Sequence, residues 1–425
     1  MSNYEIHHNN NRSHISEVPE GWKLKRLKYL TKSKKELSET GEEELLSVTE
    51  TRGIIKRKEL KSDDEPLSRS DDLIGYRLVE EGNLVNNIML VWKRGLGVSP
   101  YSGIVSPAYS VFSFSKECDP WYFNYLLRSE EYITEFRRNS IGITMSRLRL
   151  YDDSFGDVFG VLPPLNEQKI ISRYLDKKTS QIDKLISKIK KRIELLKEQR
   201  TSLINQYVTK GLDPNVEMKD SGIEWIGEIP KHWEFRKLKH FFSYKKGVFG
   251  QQLTTTFLSD NAGEYPVYSG QTENFGILGK WDNHEFDFKN GVIFCTTVGA
   301  KLMTTRVISG KFSLSQNCLI MIPKNENINS EYINYFFDFD FKIRRELLPT
   351  ILQPSLRMED LDQYWIPVPP VSEQMNIINK LNSILNRSDQ VTNNLVKKIS
   401  LLKEYRQSLI SSAVTGKVRI KGELV

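Results

Sequence analysis

The sequence has few of the residues and segments that build disulfide frameworks, metal sites and membrane spans. Its 425 residues include three cysteines, Cys118, Cys295 and Cys318. They are odd in number and far apart, so neither a disulfide framework nor a zinc site is indicated. No stretch approaches the ~20 apolar residues that a membrane-spanning helix needs, and the polar N-terminal segment lacks the apolar core of a secretory signal. We therefore expect a cytoplasmic protein without a metal site.

The motifs of nucleotide-dependent and methylating enzymes are also absent. There is no GxxxxGK[ST] phosphate loop. A methyltransferase that acts on the amino group of a base needs a polar residue before Pro-Pro and an aromatic residue after it, because the aromatic ring stacks on the flipped base. Here the two Pro-Pro pairs follow Leu162 and Val368 and precede Leu165 and Val371. The chain is therefore expected to be non-catalytic by itself and to bind no cofactor.

One short motif leaves a nuclease interpretation open. Asp287 and Lys289 have the D-x-K spacing of metal-dependent nucleases, and Asp282 is nearby. The first half of the chain does not repeat this motif, and a three-residue match arises easily by chance in a chain with 27% charged residues. A hidden nuclease centre is the least favoured of the three functions that we consider.

What the sequence does contain is one series of motifs, present twice. The pairs are VPEGWKLKRLKYL and IPKHWEFRKLKHF, LPPLNEQ and VPPVSEQ, and LLKEQRTSLINQYVTKG and LLKEYRQSLISSAVTG. Their spacing is nearly constant, since Trp233 follows Trp22 after 211 residues and Glu373 follows Glu167 after 206. A repeat of this length predicts two globular domains, each with its own appendage, related by an internal pseudo-twofold axis.

Each globular part mixes short strand-like runs with turn signals and is followed by a long helix, which predicts an α/β (α+β) fold. The predicted boundaries are a disordered tail over residues 1–17, a first globular domain over 18–163, a first long helix over 164–211, a polar linker over 212–228, a second globular domain over 229–369, a second long helix over 370–416 and a C-terminal tail over 417–425.

Signals for the helix ends recur in both copies. Asn166 and Ser372 are predicted N-caps, because both side chains can accept a hydrogen bond from a free backbone N–H. The glutamate after each cap lies in the first turn, where negative charge suits the helix dipole. Gly211 and Gly416 are predicted to terminate the helices, as glycine commonly does.

Apolar residues in both helices are spaced alternately by three and four positions, which is typical of a coiled coil. We predict that the two helices pack on each other as an antiparallel coiled coil, a rod ~60 Å long for ~40 residues. Arg200 and Arg406 interrupt the seam at the same register, where their stems can lie along the apolar stripe or the polar groups can fix the pairing. The predicted seam is Ile186, Ile189, Ile193, Leu196, Arg200, Leu203, Leu395, Ile399, Leu402, Arg406 and Leu409.

These motifs together resemble the specificity subunits of type I restriction-modification enzymes. The resemblance covers nearly the whole chain and is carried by the [IV]PxxW segments, the PPxxEQ helix starts, the LLKExRxSLI segments and the central MKDSGIEWIGEIPKHWE. It implies that the globular domains are target recognition domains, each reading one half of a bipartite, asymmetric DNA sequence. The helix pair would fix the spacer between the half-sites and dock the modification subunits.

The resemblance also implies partners and their chemistry. Modification subunits, expected to be two, would bring S-adenosylmethionine and methylate adenine, and restriction subunits would bring ATP hydrolysis, Mg²⁺ and DNA cleavage. Double-stranded DNA is the expected ligand of this chain. The net charge of +7 and the ten Lys or Arg against four acidic residues between Asp176 and Lys210 are compatible with that ligand.

Candidate base-reading residues are polar or basic side chains in the glycine-rich loops, since arginine pairs with guanine and Asn or Gln with adenine. The candidates are Asn86, Asn87, Lys93, Arg94, Tyr101 and Arg147 in the first domain, and Gln271, Lys301, Thr304, Arg306, Gln316 and Gln353 in the second. Each could instead be a solvated loop residue or a phosphate contact. Trp22 and Trp233 could contact DNA, but we favour packing where each domain meets its helix.

A second function from another class is a coiled-coil scaffold whose globular domains bind protein. DNA binding by the first function should weaken steeply with salt, with a log–log slope of roughly −0.9 per phosphate contact.

Overall fold

A computed structural model of the chain describes residues 6–8, 15, 17–60, 73–144, 147–270, 274–299, 301–347 and 355–420. The chain divides into two compact units. Unit 1 is Met1–Ile189 with Val396–Val425, and unit 2 is Lys190–Leu395. Each unit therefore combines one globular domain with the first part of one long helix and the last part of the other. This division differs from the predicted boundaries, which assign each long helix to a single segment.

Unit 1 is built on a four-stranded sheet. Its strands are β1 (Ile6–His8), β2 (Glu17–Pro19), β3 (Lys23–Arg26), β4 (Thr31–Lys34), β5 (Leu46–Thr49), β6 (Gly53–Lys56), β7 (Arg77–Val79), β8 (Leu84–Asn87), β9 (Leu96–Val98), β10 (Gly103–Val105), β11 (Tyr109–Phe114) and β12 (Phe159–Leu162). Its helices are α1 (Leu27–Leu30), α2 (Pro120–Leu127), α3 (Glu130–Arg138), α4 (Asp152–Asp157) and the first part of α5 (Leu165–Lys210). The sheet order is β4-β11-β8-β9, and the antiparallel pairs β1–β2, β3–β12, β5–β6 and β7–β10 surround it.

Unit 2 has the same frame around a different sheet. Its strands are β13 (Met218–Asp220), β14 (Glu228–Pro230), β15 (Glu234–Lys237), β16 (Phe242–Lys245), β17 (Ala262–Tyr268), β18 (Ile277–Trp281), β19 (Phe286–Thr296), β20 (Thr305–Leu314), β21 (Cys318–Pro323) and β22 (Trp365–Val368). Its helices are α6 (Thr255–Asp260), α7 (Ser330–Leu347), α8 (Met358–Asp362) and the first part of α9 (Val371–Val414). Six strands pair in the order β16-β21-β19-β20-β17-β18.

The predicted fold class is confirmed: strands and helices form two globular domains with two long helices, and within each unit the helix segments run antiparallel. In unit 1, Asp183 of α5 pairs with Arg406 of α9. Tyr122 contacts the carbonyls of both Val161, just before α5, and Val414, at the end of α9. The end of α9 therefore lies beside the start of α5.

The predicted seam residues face inward within their own units. In unit 1, Ile186, Ile189 and Leu409 are buried, and Ile399, Leu402 and Arg406 are half-buried. In unit 2, Ile193, Leu196, Arg200, Leu203 and Leu395 are half-buried, while most neighbouring positions are exposed. In unit 1, Ile399 and Leu402 pack against a hydrophobic core that also contains Ile186 and Leu409.

The predicted tail and the predicted linker each contribute a strand to an antiparallel pair. In the tail, β1 pairs with β2 at the start of the first domain, and in the linker, β13 pairs with β14 at the start of the second domain. The prediction of a disordered tail is therefore wrong at residues 6–8. Two-stranded pairing needs only backbone groups, so a polar sequence gives little sign of it. The C-terminal segment likewise packs, because Ile420 is buried in the core of unit 1.

The C-terminal ends of the two long helices agree with the prediction, and their N-terminal ends differ from it. Gly211 and Gly416 have φ of +74° and +76°, the left-handed conformation expected of terminating glycines. The N-cap prediction is wrong. The helices begin at Leu165 and Val371, so Asn166, like Ser372, lies one residue inside the first turn.

Candidate nucleic-acid interface

A buried glutamine fixes the start of each long helix. Gln168 Nε2 donates to Pro163 O at 2.8 Å and to Glu117 O at 2.9 Å, while its Oε1 accepts from Asp119 N at 2.7 Å. Both polar atoms of the side-chain amide are paired, so these hydrogen bonds offset the cost of removing the amide from water. It ties the start of α5 to the start of α2.

The same clamp is present in unit 2. Gln374 Nε2 donates to Pro369 O at 2.9 Å and to Asn327 O at 3.0 Å, and its Oε1 accepts from Asn329 N at 2.8 Å. Sequence reasoning placed these glutamines in the PPxxEQ motif without assigning them a role. Their recurrence in both copies was the available signal.

The two tryptophans lie at the junction of the globular domain with both helix segments, as predicted. Trp22 is 6% exposed, and its Nε1 donates to Glu167 Oε2 at 2.9 Å. A Cβ placed on Gly416 would lie 3.1 Å from the Trp22 ring and 2.3 Å from Pro19 Cγ. Only glycine therefore fits where the end of α9 passes the PxxW loop in unit 1.

Unit 2 has the equivalent tryptophan junction, but its hydrogen bonds are different. Trp233 is 1% exposed, and a Cβ on Gly211 would lie 3.2 Å from its ring. Glu373 contacts His232 Nε2 at 2.8 Å, and Trp233 Nε1 has no hydrogen-bond partner among the residues that the structure describes. Both tryptophans are thus packing residues, and their burial removes them from direct base contact.

A tyrosine in each globular domain bonds the end of a long helix. Tyr122 Oη donates to Val414 O at 2.9 Å in unit 1, and Tyr332 Oη donates to Val208 O at 3.0 Å in unit 2. The carbonyls near a helix C-terminus have no partner within the helix, so these hydroxyls satisfy them. Together with the glutamine and tryptophan contacts, they hold each domain on the same frame of two helix segments.

Four of the predicted base-reading residues of unit 2 come together at one end of its sheet. Lys301 and Thr304 lie in the turn between β19 and β20, Arg306 is the second residue of β20, and Gln316 lies in the turn after β20. Backbone hydrogen bonds join these turns: Thr297 N donates to Asn317 O at 2.8 Å, and Ser315 N donates to Tyr268 O at 2.8 Å. Lys301 and Gln316 are exposed.

The Arg306 side chain already makes contacts within unit 2. Its guanidinium lies 5.4 Å from the centroid of the Phe294 ring and donates to Phe275 O. Burial lowers the pKa of Arg306 below its usual value, although an arginine remains protonated at neutral pH. Gln271 and Gln353 lie outside the described residues.

Phe275 was missed by the sequence reasoning. It is 84% exposed and has φ of +53°, next to Asn274 with φ of +48°. Each left-handed non-glycine residue costs ~1–3 kcal/mol, and such residues cluster at ligand-binding sites. Phe275 follows β17 at the end of the sheet where Arg306 lies. A lone exposed aromatic in a loop has no sequence signature, so only the structure identifies it.

The predicted residues of unit 1 separate into different environments. Lys93 is exposed, 5.0 Å from the Trp92 ring centroid, and Arg137 lies on the same ring at 5.9 Å. Arg147 is exposed in a segment joined to this loop, because Leu150 N donates to Ile88 O at 2.9 Å. These basic side chains form one candidate phosphate-contacting surface.

The four other candidates of unit 1 are not placed for base reading on this surface. Asn86 and Asn87 are 2% and 1% exposed inside the sheet, and Asn87 Oδ1 accepts from Met89 N at 3.1 Å. The prediction for this pair is wrong, because a buried side chain cannot reach a base edge. Tyr101 lies at the opposite end of the β8–β9 pair, under the Lys56 ammonium at 5.0 Å. Arg94 is ion-paired with Glu130.

The basic face of α5 is exposed in both units. In unit 1, Lys177, Lys184 and Lys188 are exposed. In unit 2, the exposed residues are Lys190, Lys191, Arg192, Lys197 and Lys210. Among the described residues, no group of three or more His, Cys, Asp or Glu could hold a metal, which gives the interpretation of Asp287, Lys289 and Asp282 as a nuclease centre no support. No described helix is long and apolar enough to cross a membrane.

Comparison with known proteins agrees with this geometry. A family model for the type I restriction modification DNA specificity domain matches residues 230–401. The putative type I restriction enzyme MjaX specificity subunit of Methanocaldococcus jannaschii is 24% identical over 96% of both chains. The chain is similar to type I restriction-modification specificity subunits over nearly its whole length.

Two further similarities extend over nearly the whole chain. The type I restriction enzyme MjaVIII specificity subunit of the same archaeon is 26% identical over 96% of this chain and 95% of its own. A chain in a solved structure on complex assembly and conformational transition of the type I R-M system aligns with a TM-score of 0.72, over 94% of this chain and 99% of that one, at 15% identity. The latter similarity shows the common fold.

Proposed function

We propose that this chain is the DNA-reading subunit of a type I restriction-modification complex, with each unit reading one half of a bipartite target. The observation that carries the proposal is that one frame of glutamine clamp, tryptophan junction and tyrosine bond holds two different sheets. The sheet is four-stranded in unit 1 and six-stranded in unit 2. Two different reading surfaces on equivalent frames suit two different half-sites, so the target should be asymmetric.

The surface at the end of the unit 2 sheet has the chemistry of base reading. Gln316 can bond adenine in the major groove, and Lys301 can contact phosphate or guanine. Phe275 is suited to stack on or between bases, as apolar wedge residues do when they enter a base step. In unit 1, Lys93, Arg137 and Arg147 supply positive charge for phosphate contacts, which set affinity and register.

The remaining parts of the proposal concern the complex. The long helices would set the spacer between half-sites and dock two modification subunits. Those subunits would carry S-adenosylmethionine and the adenine methylation chemistry. Restriction subunits would carry ATP and Mg²⁺, while this chain binds no cofactor and catalyses no step. This division of labour rests on the similarity to type I specificity subunits.

Selection from a random pool of duplex DNA, by the chain assembled with its modification subunits, tests the proposal. Enrichment of one bipartite motif with a fixed spacer, and binding that weakens steeply with salt, is the expected result. If the assembled complex enriches no sequence and its DNA affinity hardly depends on salt, the protein-binding scaffold becomes the better interpretation.

A further inference from the structure

A cavity of about 350 Å³ lies in unit 1. Its wall is formed by the turn after β5, the α2–α3 corner and the last turns of α9. A volume near 350 Å³ is at the lower end of the range for small-molecule sites. The cavity could therefore hold a compact ligand together with some water.

Arginine side chains dominate the charge of this cavity. Arg52, Arg94, Arg128 and Arg406 line it, against Glu50 and Glu130. Glu130 is already ion-paired with Arg94. The lining therefore has more positive than negative charge, which favours an anionic ligand.

Arg128 shows that this positive charge is not compensated locally. Burial, with the neighbouring charges of Arg94 and Arg406, lowers the pKa of Arg128 to about 10. Its guanidinium is held by backbone oxygens, with Nη1 2.9 Å from Arg94 O and Nη2 3.0 Å from Glu50 O. Carbonyl oxygens fix the position of the group without cancelling its charge.

Two donors of the lining lack hydrogen-bond acceptors within the described part of the chain. The hydroxyl of Ser129 is buried with no partner, and the residue is 4% exposed. Arg406 Nε lies 3.2 Å from Asp183 Oδ1 in an ion pair, but without the geometry of a hydrogen bond. A buried polar group without a partner is unfavourable because it has lost its hydrogen bonds to water, and an oxyanion in the cavity would replace them.

We propose that this cavity binds a phosphate group, with Ser129 Oγ and Arg406 Nε as donors and Arg94 and Arg128 supplying positive charge. Guanidinium and hydroxyl donors suit the several acceptor oxygens of phosphate, and bonds between charged partners are the stronger kind. The group could belong to a small phosphorylated molecule or to a DNA backbone. The phosphate-binding proposal does not depend on the function proposed above.

The internal repeat supplies a matched control. Asp338 and Phe339 stand in unit 2 where Arg128 and Ser129 stand in unit 1, and Arg200 stands where Arg406 stands. Unit 2 therefore has an acidic and an apolar residue in place of the buried arginine and the serine hydroxyl. A phosphate site should exist in unit 1 alone.

Calorimetric titration of the full chain with inorganic phosphate, at constant ionic strength and with chloride as the reference anion, tests the proposal. We expect saturable binding at one site per chain. Arg406→Gln should raise the Kd for phosphate at least tenfold, and Ser129→Ala should raise it several-fold. Arg200→Gln, which breaks the equivalent ion pair in unit 2, should leave the Kd unchanged. Thermal melts establish that each variant is folded.

Phosphate binding no stronger than chloride binding would overturn the proposal, as would an unchanged Kd in both unit 1 variants. A duplex DNA arm identifies the source of the group. If phosphate competes with DNA in the wild type and not in Arg406→Gln, the cavity holds a backbone phosphate. If phosphate binds without affecting DNA affinity, the cavity serves a small phosphorylated ligand.

Discussion

Arg200 on α5 pairs with Asp389 on α9, with Nη1 2.7 Å from Oδ1. The pair recurs in unit 1 as Arg406 with Asp183, at 3.2 Å. Each residue of one pair lies 206 positions from its counterpart in the other. The helix segments of the two units thus have the same register. Both arginines of the predicted seam reach an acid on the facing helix.

These ion pairs should contribute little free energy of unfolding. The side chains of Arg200 and Asp389 are 37% and 60% exposed, and exposed pairs typically contribute ~0.2–1 kcal/mol. A double-mutant cycle with Arg200→Ala and Asp389→Ala should give a coupling in that range that falls with added salt. A coupling above ~2 kcal/mol, far outside the range for exposed pairs, would show that the ion pairs, and not the apolar seam, hold the helices together.

The glutamine clamp should be far more costly to break. Gln168→Leu leaves the Asp119 N–H and two carbonyls buried without their partner, and each such group costs about 1–3 kcal/mol. We expect a loss of about 3 kcal/mol or more, measured by urea unfolding. The control is Asn166→Ala in the same turn, which should cost under ~0.5 kcal/mol as an ordinary surface change. A loss near 1 kcal/mol for the control would restore the N-cap role.

The buried cysteines should make the stability of the fold depend on pH, and the labelling of their thiols should report unfolding. Burial raises the pKa of the Cys118 thiol to about 11 and that of Cys318 to about 12. The folded state thus binds protons that the unfolded state releases above a pKa of ~8.5, so stability should fall as the pH rises above that value. A thiol reagent at pH 8 should label the folded chain slowly and the urea-unfolded chain fast. Rapid labelling of the folded chain would contradict the buried positions.

The exposed ring of Phe275 should contribute to DNA binding. Stacking of an aromatic ring on a base is worth ~1–3 kcal/mol, so Phe275→Ala should raise the Kd for target DNA about tenfold. The matched control is Val248→Ala, because Val248 is 86% exposed in another loop of unit 2 and has no ring. Equal affinities for both variants and the wild type would remove Phe275 from the proposed reading surface.

Some parts of the fold and of the candidate site could be predicted from the sequence, and others could not. Long helices were predictable because their signals are local: apolar spacing, terminating glycines such as Gly211, and prolines before each start. The burial of Trp22 followed from its size and its place in the repeat. The roles of Gln168 and Phe275 were not predictable, because one depends on partners about 50 residues away and the other on a loop conformation.

The buried pair Asn86 and Asn87 illustrates the same limit in the candidate site. Residue type made both good adenine readers, but the sheet in which they lie forms from strands that are distant in sequence, and it turns them inward. Lys301 and Gln316, by contrast, are exposed in turns flanking β20. Glycine-rich loops predict which segments are available to a ligand better than they predict which side chains reach it.

The central claim is that each unit reads its own half-site. Its most direct test is to map adenine methylation by the assembled complex, with the wild-type chain and with a chain carrying Phe275→Ala, Lys301→Ala and Gln316→Ala in unit 2. The account predicts a bipartite motif in which the variant relaxes one half only, while the other half and the spacer stay unchanged. Relaxation of both halves together, or a single contiguous motif, would contradict it.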